Sequence, residues 1–426
     1  MAHVATITID HTKVPGDLTD YVGLIVPDGS AGYSALYALC LEGGGDIRLF
    51  KSDDTTELAR EIVTFSVSAE TGEIHYKYSG TLSSSVDTDI HVYADGSSSE
   101  PAASATYGSE AVWVDYEGVW HMQENTGTTA ADSAGNFDGT LSTSSLWSTD
   151  GVFGNGVEGA SSEKISSSFS ASGFSEFTAQ MWLKTPTSLS TFQVAQGQNG
   201  STDYNWRIAA FFGALQADFN TTSDTPVRIN LGGSTNTYHL VHMTWDGATF
   251  AGYRDGSLKG TSSSNNLRGN SIAHAILSRD SNTSNWQGVC DECRVSSTSL
   301  SANWITTEYN NQNSPSTFYS VAAVAGGSAA NSERDALITG VATSQSERDA
   351  LITGVATSQS ERDALIDGVA TSQSERDALI DGVADNRQSG ERDALITGQG
   401  LNPYCPKDSP FANKISPYST FDKRNC

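Results

Sequence analysis

Hard oxygen ligands cluster in one short loop of the sequence, Asp132-Ser-Ala-Gly-Asn136-Phe-Asp138. Ca²⁺ prefers carboxylate and carbonyl oxygens as ligands, so this glycine-containing loop is a candidate calcium-binding loop. The same residues also form Asx turns, in which an aspartate accepts hydrogen bonds from the backbone just after it. The residues alone leave both interpretations open.

The five cysteines do not form a disulfide framework, because their number is odd and the chain is long. Cys290 and Cys293 make a lone C-x-x-C pair, and a zinc site would need two further ligands at suitable spacing. Their neighbours have the pattern of a strand, which favours two small apolar core residues over a redox pair. Cys405 and Cys426 bracket the C-terminal tail, where an oxidised link between them is an open alternative.

Motifs for enzymatic catalysis are missing from the sequence. It contains neither a Gly-x-Ser-x-Gly elbow nor a His-Glu-x-x-His helix. Glycoside hydrolysis needs two carboxylates facing one another, but Asp53–Asp54 and Asp87/Asp89 lie in or beside polar, turn-like stretches. We therefore predict a protein that is not an enzyme.

Composition excludes several other classes of protein. The 426 residues include 24 Lys and Arg against 50 Asp and Glu, a formal net charge of −26, which disfavours nucleic acid as a partner. No run of 18 apolar residues predicts a membrane span, and charged residues at 17% are too few for a long coiled coil. The first residues lack the basic and apolar segments of a secretory signal, so we expect none.

Period-two alternation of apolar residues predicts strands over residues 1–95, as in Ala5, Ile7 and Ile9. Residues 96–110, rich in Ser and Ala, have little to bury and are predicted as a linker. From 111 to 318 the pattern is again that of strands, with Asp-Gly steps that favour tight hairpins. All eight Trp fall in this second region, and we interpret them as core and sheet residues rather than sugar platforms.

The composition changes after residue 330, where the nonapeptide Ser-Glu-Arg-Asp-Ala-Leu-Ile-Thr/Asp-Gly repeats every 14 residues. Its copies begin at Ser332, Ser346, Ser360, Ser374 and, with an inserted Gly390, Ser389. A capping Ser, an Asp three residues later and a terminal Gly indicate one short helix per repeat. Helices this short are marginal alone, so their apolar residues must pack against something. We favour a stalk of capped turns packed on identical chains, with a continuous coiled coil or a disordered spacer as alternatives.

Two family resemblances cover most of the chain before the repeats. The stretches Gly45-Asp-Ile-Arg-Leu-Phe50 and Leu82-Ser-Ser-Ser-Val-Asp-Thr88 resemble an uncharacterised β-module of microbial surface proteins. The pieces Gly118-Val-Trp-His-Met122, Trp245-Asp-Gly247 and Gly288-Val-Cys-Asp-Glu-Cys-Arg-Val295 resemble the laminin-G/concanavalin-A-like jelly roll. That resemblance implies a sandwich with a glycan-binding face, frequently beside calcium.

In the jelly-roll family, the Asp132–Asp138 loop and the strand at Asp291 can lie together. The resemblance therefore implies a structural Ca²⁺ ion held by Asp132, Asn136 and Asp291, with an Asx turn and a Glu292–Arg294 surface pair as the alternative. The cofactor prediction is accordingly Ca²⁺.

The resulting fold class is all-β, with two β-sandwich (jelly-roll) domains followed by a short-helix/turn repeat stalk. The predicted divisions are an N-terminal module (1–95), a linker (96–110), a laminin-G/concanavalin-A-like sandwich (111–318), a second linker (319–331), the repeat array (332–398) and a tail (399–426).

The predicted function is that of a non-enzymatic virion protein, a fibre or capsid decoration at the virion surface that binds cell-surface glycans. Its predicted partners are those glycans, other virion proteins and copies of itself through residues 332–398, with a trimer favoured. Neither nucleic acid nor membrane is expected as a partner. The alternatives are a bacterial cell-surface adhesin or filament subunit and, more weakly, a polysaccharide-degrading enzyme.

Overall fold

The computed structural model describes residues 1–159, 163–170, 173–200, 203–223, 225–263, 266–270, 272–279 and 284–324, together with short strands between residues 333 and 396. One compact unit ends at Val324, and a second begins at Ala325. No helix in the described part of the chain is long and apolar enough to cross a membrane.

The N-terminal module is built on a seven-stranded sheet. Its strands in this part of the chain are β1 (Ala2–Ile9), β2 (Leu18–Ile25), β3 (Arg48–Lys51), β4 (Glu57–Ser66), β5 (Thr71–Leu82) and β6 (Thr88–Ala94). They lie in the order β2-β5-β4-β3-β6-β1, and helix α1 (Ser34–Leu39) connects β2 to β3. The alternation predicted for Ala5, Ile7 and Ile9 is confirmed, since all three side chains are buried.

Strand β5 departs from the simple alternation of a sheet with one wet face. Residues 72–76 are buried without interruption, so His75 lies in the interior rather than in solvent. The cause is the second sandwich, which covers the face of β5 that the local sequence marks as polar.

Both stretches predicted as linkers contain some packed structure, and the predicted domain divisions stay a prediction. In the first linker, the Ser99 carbonyl accepts a hydrogen bond from Arg48 and Glu100 pairs with the buried Arg60 at 2.5 Å. Helix α2 (Ser109–Val112) begins inside the same stretch. In the second, Tyr319–Ala323 form a strand that pairs with β1 antiparallel and thereby completes the first sheet.

The second sandwich consists of two eight-stranded sheets. Its strands are β7 (Tyr116–Trp120), β8 (Thr129–Ala130), β9 (Gly139–Leu141), β10 (Trp147–Ser148), β11 (Gly156–Glu158), β12 (Ile165–Ser167), β13 (Phe177–Lys184), β14 (Gln193–Asn199), β15 (Tyr204–Phe211), β16 (Ala214–Asn220), β17 (Pro226–Gly232), β18 (Tyr238–Trp245), β19 (Thr249–Arg254), β20 (Ser257–Ser263), β21 (His274–Ile276) and β22 (Val289–Ser296). Helices α3 (Ala302–Asn313) and α4 (Pro315–Phe318) follow, and then β23 (Tyr319–Ala323).

One sheet of this sandwich has the order β10-β11-β22-β13-β18-β19-β20 with β7 beside β22, and the other has the order β17-β16-β15-β14-β21-β12-β9-β8. The predicted Asp-Gly turns are confirmed: Asp255 and Gly256 both have positive φ between β19 and β20. Six Trp are buried, as predicted for core residues, and Trp147 and Trp304 are half-buried.

Helix α3 fastens the second sandwich to the first. The Asn311 side chain donates to the Leu24 carbonyl at 2.8 Å and accepts from the Leu24 amide at 2.7 Å. Because β2 is an edge strand, this amide side chain substitutes for the missing neighbour at that point of the edge.

The described segments of the repeat array are strands. Its strands are β24 (Glu333–Arg334), β25 (Leu337–Ala342), β26 (Glu347–Arg348), β27 (Leu351–Ala356), β28 (Glu361–Arg362), β29 (Leu365–Ala370), β30 (Glu375–Arg376), β31 (Leu379–Ala384) and β32 (Leu395–Ile396). Each pairs parallel with its equivalent in the next repeat, as in Leu337↔Leu351.

The predicted short helices are therefore wrong for these segments. Stacking identical repeats supplies interstrand hydrogen bonds that a six-residue helix cannot match, since so short a helix is marginal in isolation. The predicted tail (399–426), with Cys405 and Cys426, lies outside the described residues.

Replacing Asn311 by Ala is expected to lower the free energy of unfolding by roughly 2 to 5 kcal/mol, because the buried amide and carbonyl of Leu24 both lose their partner. The matched control is Asn310→Ala, which removes one bond to the Lys13 carbonyl and should cost about 1 kcal/mol. Urea denaturation of the whole chain measures both values. Equal losses in the two variants would contradict the role assigned to Asn311.

Candidate functional site

Asp132, the first predicted calcium ligand, is surrounded by backbone amides. Its Oδ1 accepts from Val119 at 2.7 Å and Ala134 at 3.0 Å, and its Oδ2 accepts from Asn136 at 3.0 Å and Phe137 at 2.8 Å. The Asn136 side chain donates to the Ala134 carbonyl. The carboxylate thus organises its own loop, which is the Asx-turn alternative.

Asp291, the third predicted ligand, is also bonded to amides, from a different segment. It accepts from Val152 at 2.7 Å, from Phe153 at 3.4 Å and from Glu292 at 2.9 Å. Burial, and next the Glu292 carboxylate, raise the pKa of Asp291 well above its usual range. Among the described residues, no hydrogen bond joins Asp291 to Asp132, and the calcium group stays a prediction.

The structure also tests two other predictions for this strand, the Glu292–Arg294 pair and the Cys290/Cys293 pair. Glu292 and Arg294 do form a pair, but both are buried, so the surface location predicted for them is wrong. Cys290 and Cys293 are free thiols in the hydrophobic core, which confirms their interpretation as core residues. Burial raises the pKa of both thiols well above the usual value, so neither is a reactive thiolate.

Three groups of His, Asp and Glu side chains in the described ranges come close enough to share a cation. They are Glu73 with His75, His121 and Glu292; His3 with Asp54 and His91; and Asp10 with His11 and Asp87. Neither Asp132 nor Asp291 belongs to any of them. The first group is buried, whereas the other two lie at the surface of the N-terminal module.

A separate set of polar and aromatic side chains lies on the outer face of the β17-β16-β15-β14 sheet. On β15, Trp206 and Ile208 pack into the sandwich core, so the alternation of a strand directs Arg207 to the opposite face. On β16, Phe219 points to the core and Asp218 to the same outer face as Arg207. We call this surface the Arg207 face, comprising Phe192, Tyr204, Arg207, Phe211, Phe212, Asp218, Arg228 and Arg279.

Asp218 is the electrostatic centre of the Arg207 face. Its Oδ2 accepts from Arg207 Nε at 2.8 Å and from Arg228 Nε at 3.2 Å. The other oxygen, Oδ1, is buried and has no hydrogen-bond partner among the described residues. A buried carboxylate oxygen without a donor carries an uncompensated desolvation cost, which the two guanidinium groups on Oδ2 offset in part.

Aromatic rings stack around these guanidinium groups. The Arg207 guanidinium lies 3.9 Å from the Tyr204 ring centre and 4.6 Å from that of Phe192. Arg228 lies 5.5 Å from the Phe211 ring, and Arg279 lies 5.7 Å from the Phe192 ring. These separations are those of cation–π pairs, which fix the orientation of each guanidinium.

Phe212 occupies the tip of the β15–β16 hairpin in an unusual conformation. Its φ is 55° and that of Gly213 is 85°, so both central residues of the turn have positive φ. Such turns favour Asn-Gly, and a bulky residue at the first position is strained. The Phe212 side chain is nevertheless 73% exposed, which makes it the most exposed large hydrophobic side chain among the described residues.

The sequence motifs did not predict the Arg207 face. The feature of the sequence that indicates it is Phe211-Phe212-Gly213, two aromatic residues at a turn position between alternating strands. The arginines and Asp218 have no recognisable spacing, because three strands and one loop bring them together.

A protein-family model matches much of this sandwich. Residues 158–306 match the model of the concanavalin A-like lectin/glucanases superfamily. The match includes every residue of the Arg207 face. This part of the chain therefore resembles that superfamily, and its two facing sheets form the sandwich that the resemblance implied; we call it the lectin-like sandwich.

Solved structures with a similar arrangement include toxin domains. The binding domain of Paraclostridial Mosquitocidal Protein 1 has 15% identity and a TM-score of 0.39, covering 46% of this chain and 52% of that one. The botulinum neurotoxin serotype D ligand binding domain, solved with N-acetylneuraminic acid, has 13% identity and a TM-score of 0.38, covering 48% and 53%. This chain therefore spans about half the length of either structure. No curated protein matches its sequence.

Two substitutions at Phe212 separate strain from packing. Phe212→Asn and Phe212→Ala both remove the ring, but only Asn tolerates positive φ well, so Phe212→Asn should be more stable by about 1 kcal/mol. Guanidinium denaturation of both variants checks this difference. Equal stability would show that the turn carries no strain at this position.

Proposed function

We propose that this chain is a non-enzymatic adhesion protein whose lectin-like sandwich binds cell-surface glycans at the Arg207 face. The observation that carries the proposal is the exposed Phe212 ring on a strained hairpin beside the Asp218–Arg207–Arg228 group. A residue kept in an unfavourable conformation, with its apolar side chain in water, favours a role in binding over a role in stability.

The chemistry of the face suits a sugar. Phe211 and Phe212 present ring surfaces on which the C–H face of a pyranose can stack. Arg228 extends toward solvent with 37% of its side chain exposed. Guanidinium groups bind carboxylates and sulfates in a bidentate manner, so among glycans the face favours anionic sugars.

The setting we propose is the virion surface, as a fibre or a capsid decoration that also contacts other virion proteins. A lectin-like sandwich followed by an array of stacked repeats suits the display of a binding module at a distance from a particle. The net charge of −26 would keep many neighbouring copies apart. A bacterial adhesin or filament subunit shares these features and is the alternative; a polysaccharide-degrading enzyme is the weaker one.

Glycan binding is tested on an array of neutral, sialylated and sulfated oligosaccharides, followed by calorimetry with the best anionic ligand. Phe212→Ala and Arg228→Ala are each expected to weaken binding about tenfold, or about 1.4 kcal/mol, by removing the stacking surface and the anion contact.

The control for these variants is Tyr107→Ala, which removes an exposed aromatic ring (39% exposed) outside the Arg207 face and should bind as the unmodified chain does. Wild-type affinity in both face variants would refute the assignment. Release of reducing ends from a polysaccharide would instead support the enzymatic alternative.

Self-association through residues 332–398 is part of the same proposal, with a trimer favoured. Sedimentation equilibrium should give a trimer for the full chain and a monomer for a chain ending at Val324, the boundary of the first compact unit. A monomeric full chain would remove the fibre hypothesis, while a truncated chain that still forms trimers would move the interface to the sandwiches.

A further inference from the structure

Two histidines and two glutamates meet in the interior between the N-terminal module and the lectin-like sandwich. Glu73 and His75 lie two residues apart on β5, so their side chains share one face of that strand. His121 follows β7 directly, and Glu292 lies on β22. The first sheet thus supplies two side chains, and the second sandwich supplies two.

The four side chains bring their donor atoms into a compact group. His75 Nε2 lies 3.1 Å from Glu73 Oε1 and 3.7 Å from Glu292 Oε2. His121 Nδ1 lies 2.6 Å from Glu292 Oε1 and 3.7 Å from Glu73 Oε1. Neighbouring ligands of a tetrahedral zinc ion are about 3.3 Å apart, given bonds of about 2.0 Å. Two of the observed donor separations, 2.6 and 3.1 Å, are shorter than this ligand–ligand distance, and the two at 3.7 Å are longer.

The charge balance of this interior favours a cation. The carboxylates of Glu73, Glu292 and Glu308 are all buried within it, and Arg294 is the permanently charged cation bonded to two of them. Glu73 Oε2 is buried without a hydrogen-bond partner among the described residues. A buried carboxylate needs a proton or a positive partner, and a metal ion would provide the second.

The surroundings of the four ligands have the form of a metal site's outer shell. The other nitrogen of His121, Nε2, lies 3.1 Å from Glu61 Oε2, which is the carboxylate–histidine arrangement that orients metal-bound imidazoles. Glu61 is held in turn by Ser133 at 2.6 Å and by the Trp113 indole at 2.5 Å. Arg294 donates to Glu292 Oε2.

An acidic cleft lies on the side of Glu61. This residue, with a side chain 12% exposed, lines a cleft of about 430 Å³ whose wall includes the carboxylate residues Glu42 and Glu100. Carboxylates beside the residue that contacts His121 raise the local concentration of cations near the buried ligand set.

We propose that Glu73, His75, His121 and Glu292 bind one divalent transition-metal ion, with zinc as the preferred metal, and that this ion joins the two sandwiches. Two imidazoles among the donors favour zinc over calcium, which takes oxygen ligands. Four protein ligands close the coordination sphere, so the ion is structural rather than catalytic. The site is separate from the Arg207 face and does not depend on the proposed glycan binding.

The test uses the full chain, stripped with a chelator and then loaded with Zn²⁺ or Co²⁺. Wild type is expected to bind one Zn²⁺ per chain by elemental analysis, to show the visible absorption of four-coordinate Co²⁺, and to melt at a higher temperature when loaded. A folded wild-type chain that takes up neither metal would overturn the proposal.

Glu73→Gln is the informative variant. Glutamine has the same shape as glutamate and keeps a polar group within reach of His75, so the variant should fold. Its affinity for Zn²⁺ is expected to fall about 100-fold or more.

Asp54→Asn is the matched control, since it removes a carboxylate from the surface group of His3, Asp54 and His91. It should bind Zn²⁺ and Co²⁺ as wild type does. Loss of the metal in Asp54→Asn, together with retention in Glu73→Gln, would place the ion at the surface and refute the buried site.

Discussion

The arrangement of the two sandwiches depends on the buried guanidinium of Arg294, because it holds the Glu292 carboxylate, which in turn lies 3.7 Å from His75 on β5 of the first module. The guanidinium donates to Glu308 at 3.0 Å and to Glu292, and it lies 4.7 Å from the Trp113 ring centre. These partners belong to α3, to β22 and to the segment that follows α2, so one charge contacts three parts of the second sandwich. Removing a partner from a buried pair costs about 3 to 5 kcal/mol, because the remaining charge keeps its desolvation penalty. The two sandwiches are therefore coupled through electrostatics as well as through packing.

This coupling explains why a polar interior is tolerated where an apolar one would be simpler. Although burial opposes it, the neighbouring Glu292 and Glu61 raise the pKa of His121 well above its usual range. Burial, followed by the charge of Arg294, lowers the pKa of His75. Two stacked imidazoles 4.8 Å apart thus differ in their preferred charge, because each ring faces different neighbours. Buried polar networks of this kind permit fewer arrangements than an apolar contact does, which favours a single orientation of the two modules.

The sequence predicts the strands well, but not what covers them. Alternation identified Ala5, Ile7 and Ile9 because each strand needs only its own pattern to indicate a buried face. His75 follows the same rule as a polar, outward residue, yet it is buried, since the covering surface comes from residues far along the chain. Tyr319–Ala323 pair with β1 across more than 300 residues, and no local signal encodes such a pairing. The Arg207 face was missed for the same reason, whereas Cys290 and Cys293 were interpreted correctly because their strand-like neighbours are adjacent.

The repeat array shows how a local signal is overruled. Ser332 and Asp335 have the spacing of a helix cap. The strand Leu337–Ala342 nevertheless forms, because pairing with the neighbouring repeats supplies backbone hydrogen bonds that one short, marginal helix does not. Parallel pairing requires the same register in each step, and an exact 14-residue period supplies it, as in Leu351↔Leu365 and Leu365↔Leu379. The extra residues before the last copy lengthen that step, since Leu379 pairs with Leu395 and, among the described residues, Ile380 with Ile396. Because every regular step is equivalent, adding or removing one 14-residue unit preserves all the other pairings, so the length of such an array can change without altering its register.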